Sequence, residues 1–208
     1  MRIIKLNEQS RANILADLLK RDPNNYSAYE DTVQAIVDDV RARGDEALFE
    51  YTKKFDGAEL SADNIRVTQA EIQEALSQVD PNLLAVMKKS MKNIREYHEK
   101  QKQYSWFDSK PNGTILGQKV TALSSVGVYV PGGKAAYPSS VLMNIIPAEV
   151  AGVEKIVMVT PPGKDGKVNP VTLIAAHLAG ATEVYKVGGA QAIAALAFGT
   201  KSIPRVNK

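Results

Sequence analysis

Cysteine is absent from the 208 residues, which excludes disulfides, thiolate nucleophiles and cysteine-based metal sites. The absence fits a reducing cytoplasm. Histidine is nearly as scarce. His98 and His177 each stand alone in a helical pattern, with no second ligand at i+4 and no acidic pair close by, so neither reads as a metal ligand. Ser139 and Ser140 have no visible histidine base, and a hydrolase triad is unsupported. No apolar run approaches the roughly 18 residues of a membrane span. The opening stretch, MRIIKLNEQSRANIL, lacks the apolar segment and small-residue cleavage site of a secretory signal. A surplus of one charge is missing too: 26 basic residues against 23 acidic give +3, with the basic ones dispersed. Nucleic-acid binding would draw them into a stripe. The densest group, Lys88, Lys89, Lys92 and Arg95, falls in one helical pattern and reads as a solvated face. The expectation is a cytoplasmic protein with no nucleic-acid or membrane partner.

Core material, by contrast, is plentiful. Apolar residues make up 44% of the chain, enough for one large domain or two small ones. Up to about residue 103 the pattern is helical. Val33, Ile36, Val37 and Val40 recur at three- and four-residue steps and predict one apolar stripe over residues 28–43. After Gly44 a second helix presents Leu48, Tyr51 and Phe55 and closes at Asp56-Gly57. Thr68-Gln-Ala-Glu71 is a capping-box pattern, and Asp80-Pro81 supplies an N-cap with proline at the first helical position. The helix that follows puts Leu84, Met87, Met91 and Ile94 on one core face. Carboxylates such as Asp38 and Asp39 read as solvated. Pro111-Asn112-Gly113 marks a turn, and residues 114–123 read as a strand at a boundary or hinge.

From Val126 the pattern becomes strand–helix–strand. Strands are predicted over 126–130, 155–160 and 183–187, with helices over 140–150, 171–178 and 190–198. An internal echo supports this. Val128-Tyr129-x-x-Gly132-Gly133 recurs 56 residues later as Val184-Tyr185-x-x-Gly188-Gly189, and Ala151-Gly152 recurs 28 residues later as Ala179-Gly180. A period near 28 is one strand plus one crossover helix, as parallel βαβ units require. The fold expected is α/β: a helical N-terminal region over 1–125, holding part of a first globular domain, then a partial Rossmann-like parallel sheet over 126–208.

The Gly-Gly turns are where chemistry could sit. They follow strands and open helices, so backbone N–H groups there favour a phosphate or carboxylate. Ligands of open α/β sheets gather beyond the carboxyl ends of the strands. A plain turn explains Gly-Gly equally well, and neither a G-x-G-x-x-G fingerprint after a strand nor a G-x-x-x-x-G-K-[ST] loop is present. Tyr129 ends the first strand and reads either as a core ring or as a sheet-rim residue that stacks on or hydrogen-bonds to a ligand. Gln191, in the first turn of an alanine-rich helix, carries an amide that both donates and accepts. These residues offer a ligand site without a complete catalytic constellation.

Longer motifs carry a resemblance. Val126-Gly-Val-Tyr-Val-Pro-Gly-Gly133, then Tyr137-Pro-Ser-Ser-Val-Leu-Met-Asn144 with Pro147-Ala148, and Gly188-Gly-Ala-Gln-Ala-Ile-Ala-Ala-Leu-Ala197 resemble the signature stretches of histidinol dehydrogenases. The helical half agrees through Val40-Arg41-x-x-Gly44-Asp45-x-Ala47-Leu48, Tyr51-Thr52-x-x-Phe55-Asp56 and Asn93-Ile94-x-x-Tyr97-His98-x-x-Gln101. The resemblance implies a zinc-dependent homodimer that oxidises L-histidinol to L-histidine through L-histidinaldehyde in two NAD-dependent steps of histidine biosynthesis. It implies NAD contacts at Tyr129 and Gln191. A third NAD contact in that family is an asparagine in a Gly-Pro-Gly-Asn motif, and this sequence reaches Lys208 before it. The family's Glu-His acid–base pair and zinc ligands lie further on, so no catalytic or metal-binding residue is assigned here. The chain is expected to be inactive alone. The alternative is a non-catalytic nucleotide-binding or structural fragment that needs a C-terminal half.

Overall fold

The computed structural model describes residue 5 and residues 7–19, 26–132 and 136–208. The chain packs as two compact units, Met1–Ile36 and Val37–Lys208. The first holds α1 (Glu8–Leu19) and the opening turns of α2 (Ser27–Arg43). Asn7 starts α1: its side chain accepts from the Ser10 N–H (2.7 Å) while its own N–H donates to the Ser10 hydroxyl (2.8 Å).

In the second unit the predicted punctuation determines the helix ends. α3 (Asp45–Asp56) runs from Gly44 to Gly57. α4 (Gln69–Gln78) begins with the Thr68–Glu71 capping box, each side chain satisfying the other's backbone N–H. α5 (Pro81–Glu99) begins with Asp80 accepting from the Asn82 N–H (2.9 Å) and Pro81 at N1. Replacing either cap by alanine costs about 1 kcal/mol. Two short antiparallel strands follow, β1 (Trp106–Ser109) and β2 (Ile115–Gln118), joined through the 111–113 turn. The strand expected over 114–123 is thus confined to Ile115–Gln118, and its partner β1 carried no alternation to reveal it. Trp106, Phe107, Ile115 and Leu116 are exposed on this hairpin.

The rest is the α/β pattern: β3 (Ser125–Tyr129), α6 (Pro138–Val150), β4 (Lys155–Thr160), α7 (Pro170–Ala179), β5 (Glu183–Lys186) and α8 (Gly189–Phe198). The strands form one parallel sheet in the order β3-β4-β5. The expected division between 125 and 126 falls at the start of β3, inside the second unit. Central β4 is buried on both faces, which is why Ile156, Val157, Met158 and Val159 are an unbroken apolar run. Alternate residues serve different cores. Val128, Val130, Ile156, Met158 and Val184 pack with residues of α4, α5, α6 and α7. Val157, Val159, Tyr185 and Val187 pack with Val40, α3, α8 and the later residues Ile203 and Val206. Each such aliphatic side chain contributes about 1.5–3 kcal/mol by leaving water.

Both outer edges of the sheet have neighbours. Residues 65–67 run antiparallel beside β5, with the Val67 N–H donating to the Val184 carbonyl and the Lys186 N–H to the Ile65 carbonyl (both 2.9 Å). On the far edge the Asn207 N–H donates to the Ser125 carbonyl (3.2 Å) and the Gly127 N–H to the Lys208 carbonyl (2.7 Å). The chain therefore leaves β5, crosses through α8 on one face, and returns beside β3, whose own connection to α6 lies on the other face. Strand order reverses at β3.

Candidate functional site

The internal echo is a geometric one. Val128 and Val184 both pair with Met158, and Tyr129 and Tyr185 both pair with Val159, so the two repeats stand level on either side of β4. Three residues on, their glycines converge. A methyl group on Gly132 or on Gly188 would fall 2.6 Å from the Pro161 ring. Pro161, read from sequence only as the end of a strand, is wedged between the two turns, and both positions need glycine for that close approach. The second glycine of the first turn, Gly133, lies outside the described residues.

Tyr129 and Gln191, singled out 62 positions apart, meet at Gly189. The Tyr129 hydroxyl accepts from the Gly189 N–H (3.2 Å), which lies at the start of α8. Gly189 has φ of +67°, and a Cβ there would fall 2.4 Å from Oε1 of Gln191. The Gln191 amide therefore lies directly against the bare Cα of Gly189. Gln191 is 1% exposed, and among the described residues neither its Oε1 nor its Nε2 has a hydrogen-bond partner. Leaving a buried polar group unpaired costs about 1–3 kcal/mol. Buried polar atoms without a partner are rare in folded proteins, which singles Gln191 out as a candidate site residue. Tyr129, by contrast, is 37% exposed at the sheet rim.

The location suits a ligand. The pair sits at the carboxyl ends of the strands, next to the edge where strand order reverses, the usual ligand crevice of open α/β sheets. On the opposite face of the sheet a cavity of about 370 Å³ opens beyond the ends of β3 and β4, lined by Gly132, Thr160, Pro161, Lys167 and Asn169 among others. Tyr129 and Gln191 do not line it.

Several charged groups elsewhere are paired, although Oδ2 of Asp56 is buried without a hydrogen-bond partner among the described residues. Lys186, almost fully buried, donates to Glu71 (2.7 Å), the same residue that closes the α4 cap. Burial pushes the Glu71 carboxyl up, but hydrogen bonds from Lys186 and Thr68 outweigh it and hold the group below its ordinary value. At the amino end of β5, Glu183 faces Arg66 (3.5 Å), Lys155 (3.4 Å) and the Tyr185 hydroxyl (3.0 Å). Asp39, expected as a solvated carboxylate, is instead bound by Arg43 (2.7 Å), which pulls its pKa down to about 2. Arg95 pairs with Glu149 on α6, so the basic face of α5 is solvated only in part. His98 contacts Gln101 (2.7 Å) and His177 is exposed. Among the described residues no three His, Asp or Glu side chains gather in a way that could hold a metal. No described helix is long and apolar enough to cross a membrane.

The family model for histidinol dehydrogenase matches residues 19–208. The chain is 59% identical to the histidinol dehydrogenase of Bacillus subtilis over 177 residues, which is 85% of this chain and 41% of that one. It is 50% identical to that of Clostridium acetobutylicum over 208 residues, covering 100% of this chain and 48% of the relative. The crystal structure of histidinol dehydrogenase from Elizabethkingia anophelis superposes with a TM-score of 0.81 at 36% identity, over 86% of this chain and 41% of that chain. The chain thus spans less than half the length of the relatives it matches. The motifs, the fold and this match across nearly every residue place it in the histidinol dehydrogenase family.

Proposed function

We propose that this chain supplies the NAD-binding portion of a zinc-dependent histidinol dehydrogenase, with residues 126–208 as an incomplete Rossmann-like NAD-binding domain and 1–125 as a helical region carrying part of a first domain. The reaction of the whole enzyme is the two-step oxidation of L-histidinol to L-histidine through L-histidinaldehyde, in a cytoplasmic homodimer. Bound NAD supplies the hydride acceptor for both oxidations. One observation carries the reading for this chain: the buried, unpartnered Gln191 amide beside the Tyr129 hydroxyl, at the start of α8.

Each group has a definable task. The Tyr129 hydroxyl, exposed at the sheet rim, can hydrogen-bond to the nucleotide in place of its present bond from the Gly189 N–H. The Gln191 amide offers an NH₂ donor group beside a carbonyl acceptor, the complement of a carboxamide or an adenine edge. Backbone N–H groups at the start of α8 favour negative charge. Zinc does not fit the described residues, and no zinc ligand is assigned to this chain.

Saturation-transfer NMR of the 208-residue chain with NAD tests the reading. Binding is expected to weaken about tenfold or more in Gln191→Ala, the loss of one or two buried hydrogen bonds. A wild-type chain that binds no NAD would contradict a nucleotide site supplied by this half. With histidinol and zinc added, no NAD reduction is expected. Turnover above a no-protein control would contradict the placement of the catalytic groups elsewhere.

A further inference from the structure

Three features converge on Gly189. Its φ is +67°, its N–H is held by the Tyr129 hydroxyl, and its Cα lies against the Gln191 amide closely enough that a Cβ would overlap Oε1 at 2.4 Å. The Gln191 amide atoms are also covered: they are buried, although nothing described bonds to them. A ligand cannot reach them while the turn lies over them. Two requirements therefore conflict, since a partner for Gln191 must enter where Gly189 now sits. Pro161 packs against Gly188 of the same turn, and the hydrogen bond from Gly189 to Tyr129 is the contact on the Gly189 N–H itself, exposed enough for a ligand to compete for it.

We propose that Gly189 is the positioning residue of this site, coupling Tyr129 to Gln191: while its N–H is held by the Tyr129 hydroxyl the Gln191 amide stays covered, and a ligand that engages Tyr129 frees the turn and uncovers the amide. The inference rests on the nucleotide reading given above for what the ligand is, and on Gly189 alone for the coupling. Glycine is needed at this position twice over. A left-handed φ disfavours any L side chain, and the Gln191 amide occupies the space a Cβ would take. Gly180 separates the two requirements, because its φ is +95° but a Cβ there meets nothing within 4 Å.

The test compares the wild-type chain with Tyr129→Phe, Gly189→Ala, Gly180→Ala, Gln191→Gly and the double variant Gly189→Ala/Gln191→Gly, by NMR of the Gln191 side-chain NH₂ and by thermal melts. Tyr129→Phe is expected to speed hydrogen exchange of the Gln191 NH₂ and the Gly189 N–H about tenfold, the loss of one hydrogen bond over a local opening. Gly189→Ala is expected to melt lower than Gly180→Ala and to shift the Gln191 resonances, which Gly180→Ala leaves in place. Gln191→Gly is expected to raise the melt more in the Gly189→Ala background than in the wild type, which shows the clash to be with Gln191. Unchanged exchange in Tyr129→Phe, or additive melts in the double variant, would overturn the coupling. Should Gly189→Ala not fold, the Tyr129→Phe exchange rate still decides the matter. NAD titration separates the two claims: coupling without any NAD binding leaves Gly189 as the link and removes the nucleotide reading.

Discussion

The two Val-Tyr-x-x-Gly-Gly repeats stand level in one sheet and make opposite use of their polar groups. In the second, Tyr185 is 3% exposed and points its hydroxyl back toward the amino end, donating to Glu183 (3.0 Å). Burial, and then that hydrogen bond, push its pKa up to about 12. Lys186, next in sequence, is buried and answered by Glu71. In the first repeat, Tyr129 is exposed at the rim and reaches forward, across the wedge of Pro161, to Gly189. Its neighbour Val130 is fully buried and apolar. The difference is instructive: where the polar groups are structural, their partners are supplied by the chain. Around Tyr129 and Gln191 the set is incomplete, and incompleteness is what a ligand can fill.

Removing the built-in partners should hurt folding most. Glu71→Ala loses the return half of the α4 capping box and strands the Lys186 ammonium, and is expected to cost about 2–4 kcal/mol in urea unfolding. A cost below that of an ordinary cap would show that Lys186 finds another partner. The same pair sets an acid response. The folded state holds Glu71 below its ordinary value of 4.5, so as pH falls the unfolded chain takes up the proton first. Stability supplied by this carboxylate is complete above that value and lost as pH falls through the folded-state pKa. Glu71→Gln should flatten that part of the profile, and an unchanged slope would assign acid sensitivity to other groups.

Smaller effects sharpen the contrast between the tyrosines. Tyr185→Phe should cost about 1–2 kcal/mol, the worth of a hydrogen bond to a carboxylate that keeps its other partners. Its NAD affinity should match wild type. Tyr129→Phe should change the unfolding free energy by less than about 0.5 kcal/mol, since the freed Gly189 N–H can turn to water. Its NAD affinity should fall about tenfold, the loss of one hydrogen bond to the nucleotide. If Tyr129→Phe destabilises more than Tyr185→Phe, the roles assigned to the two repeats are reversed.

Local chemistry made much of this legible. Thr68-Gln-Ala-Glu71, Asp80-Pro81 and Asp56-Gly57 fix helix ends through neighbours four or fewer residues away, and Lys155–Thr160 reads as a strand because it is buried on both faces. The 28-residue echo carried the parallel topology. What stayed hidden depends on contacts distant in sequence. β1 shows no alternation because both its faces are exposed. Val33 and Phe55, counted on apolar stripes, are exposed, Phe55 stacking on Tyr51 at 5.7 Å. Gln191 was visible as an odd amide in an apolar helix, but its lack of a partner is a property of packing. Pro161 ends a strand in any sequence, and only the sheet shows it touching two turns 56 residues apart.

The central claim is that Gln191 is kept at a cost to folding because a ligand completes it. The direct measurement is the unfolding free energy and NAD affinity of Gln191→Met, a near-isosteric change that removes both unpaired amide atoms. The account predicts a chain more stable by about 1–2 kcal/mol, the relief of an unsatisfied buried amide, with NAD binding lost. A variant less stable than wild type, or one that binds NAD as well, would contradict it.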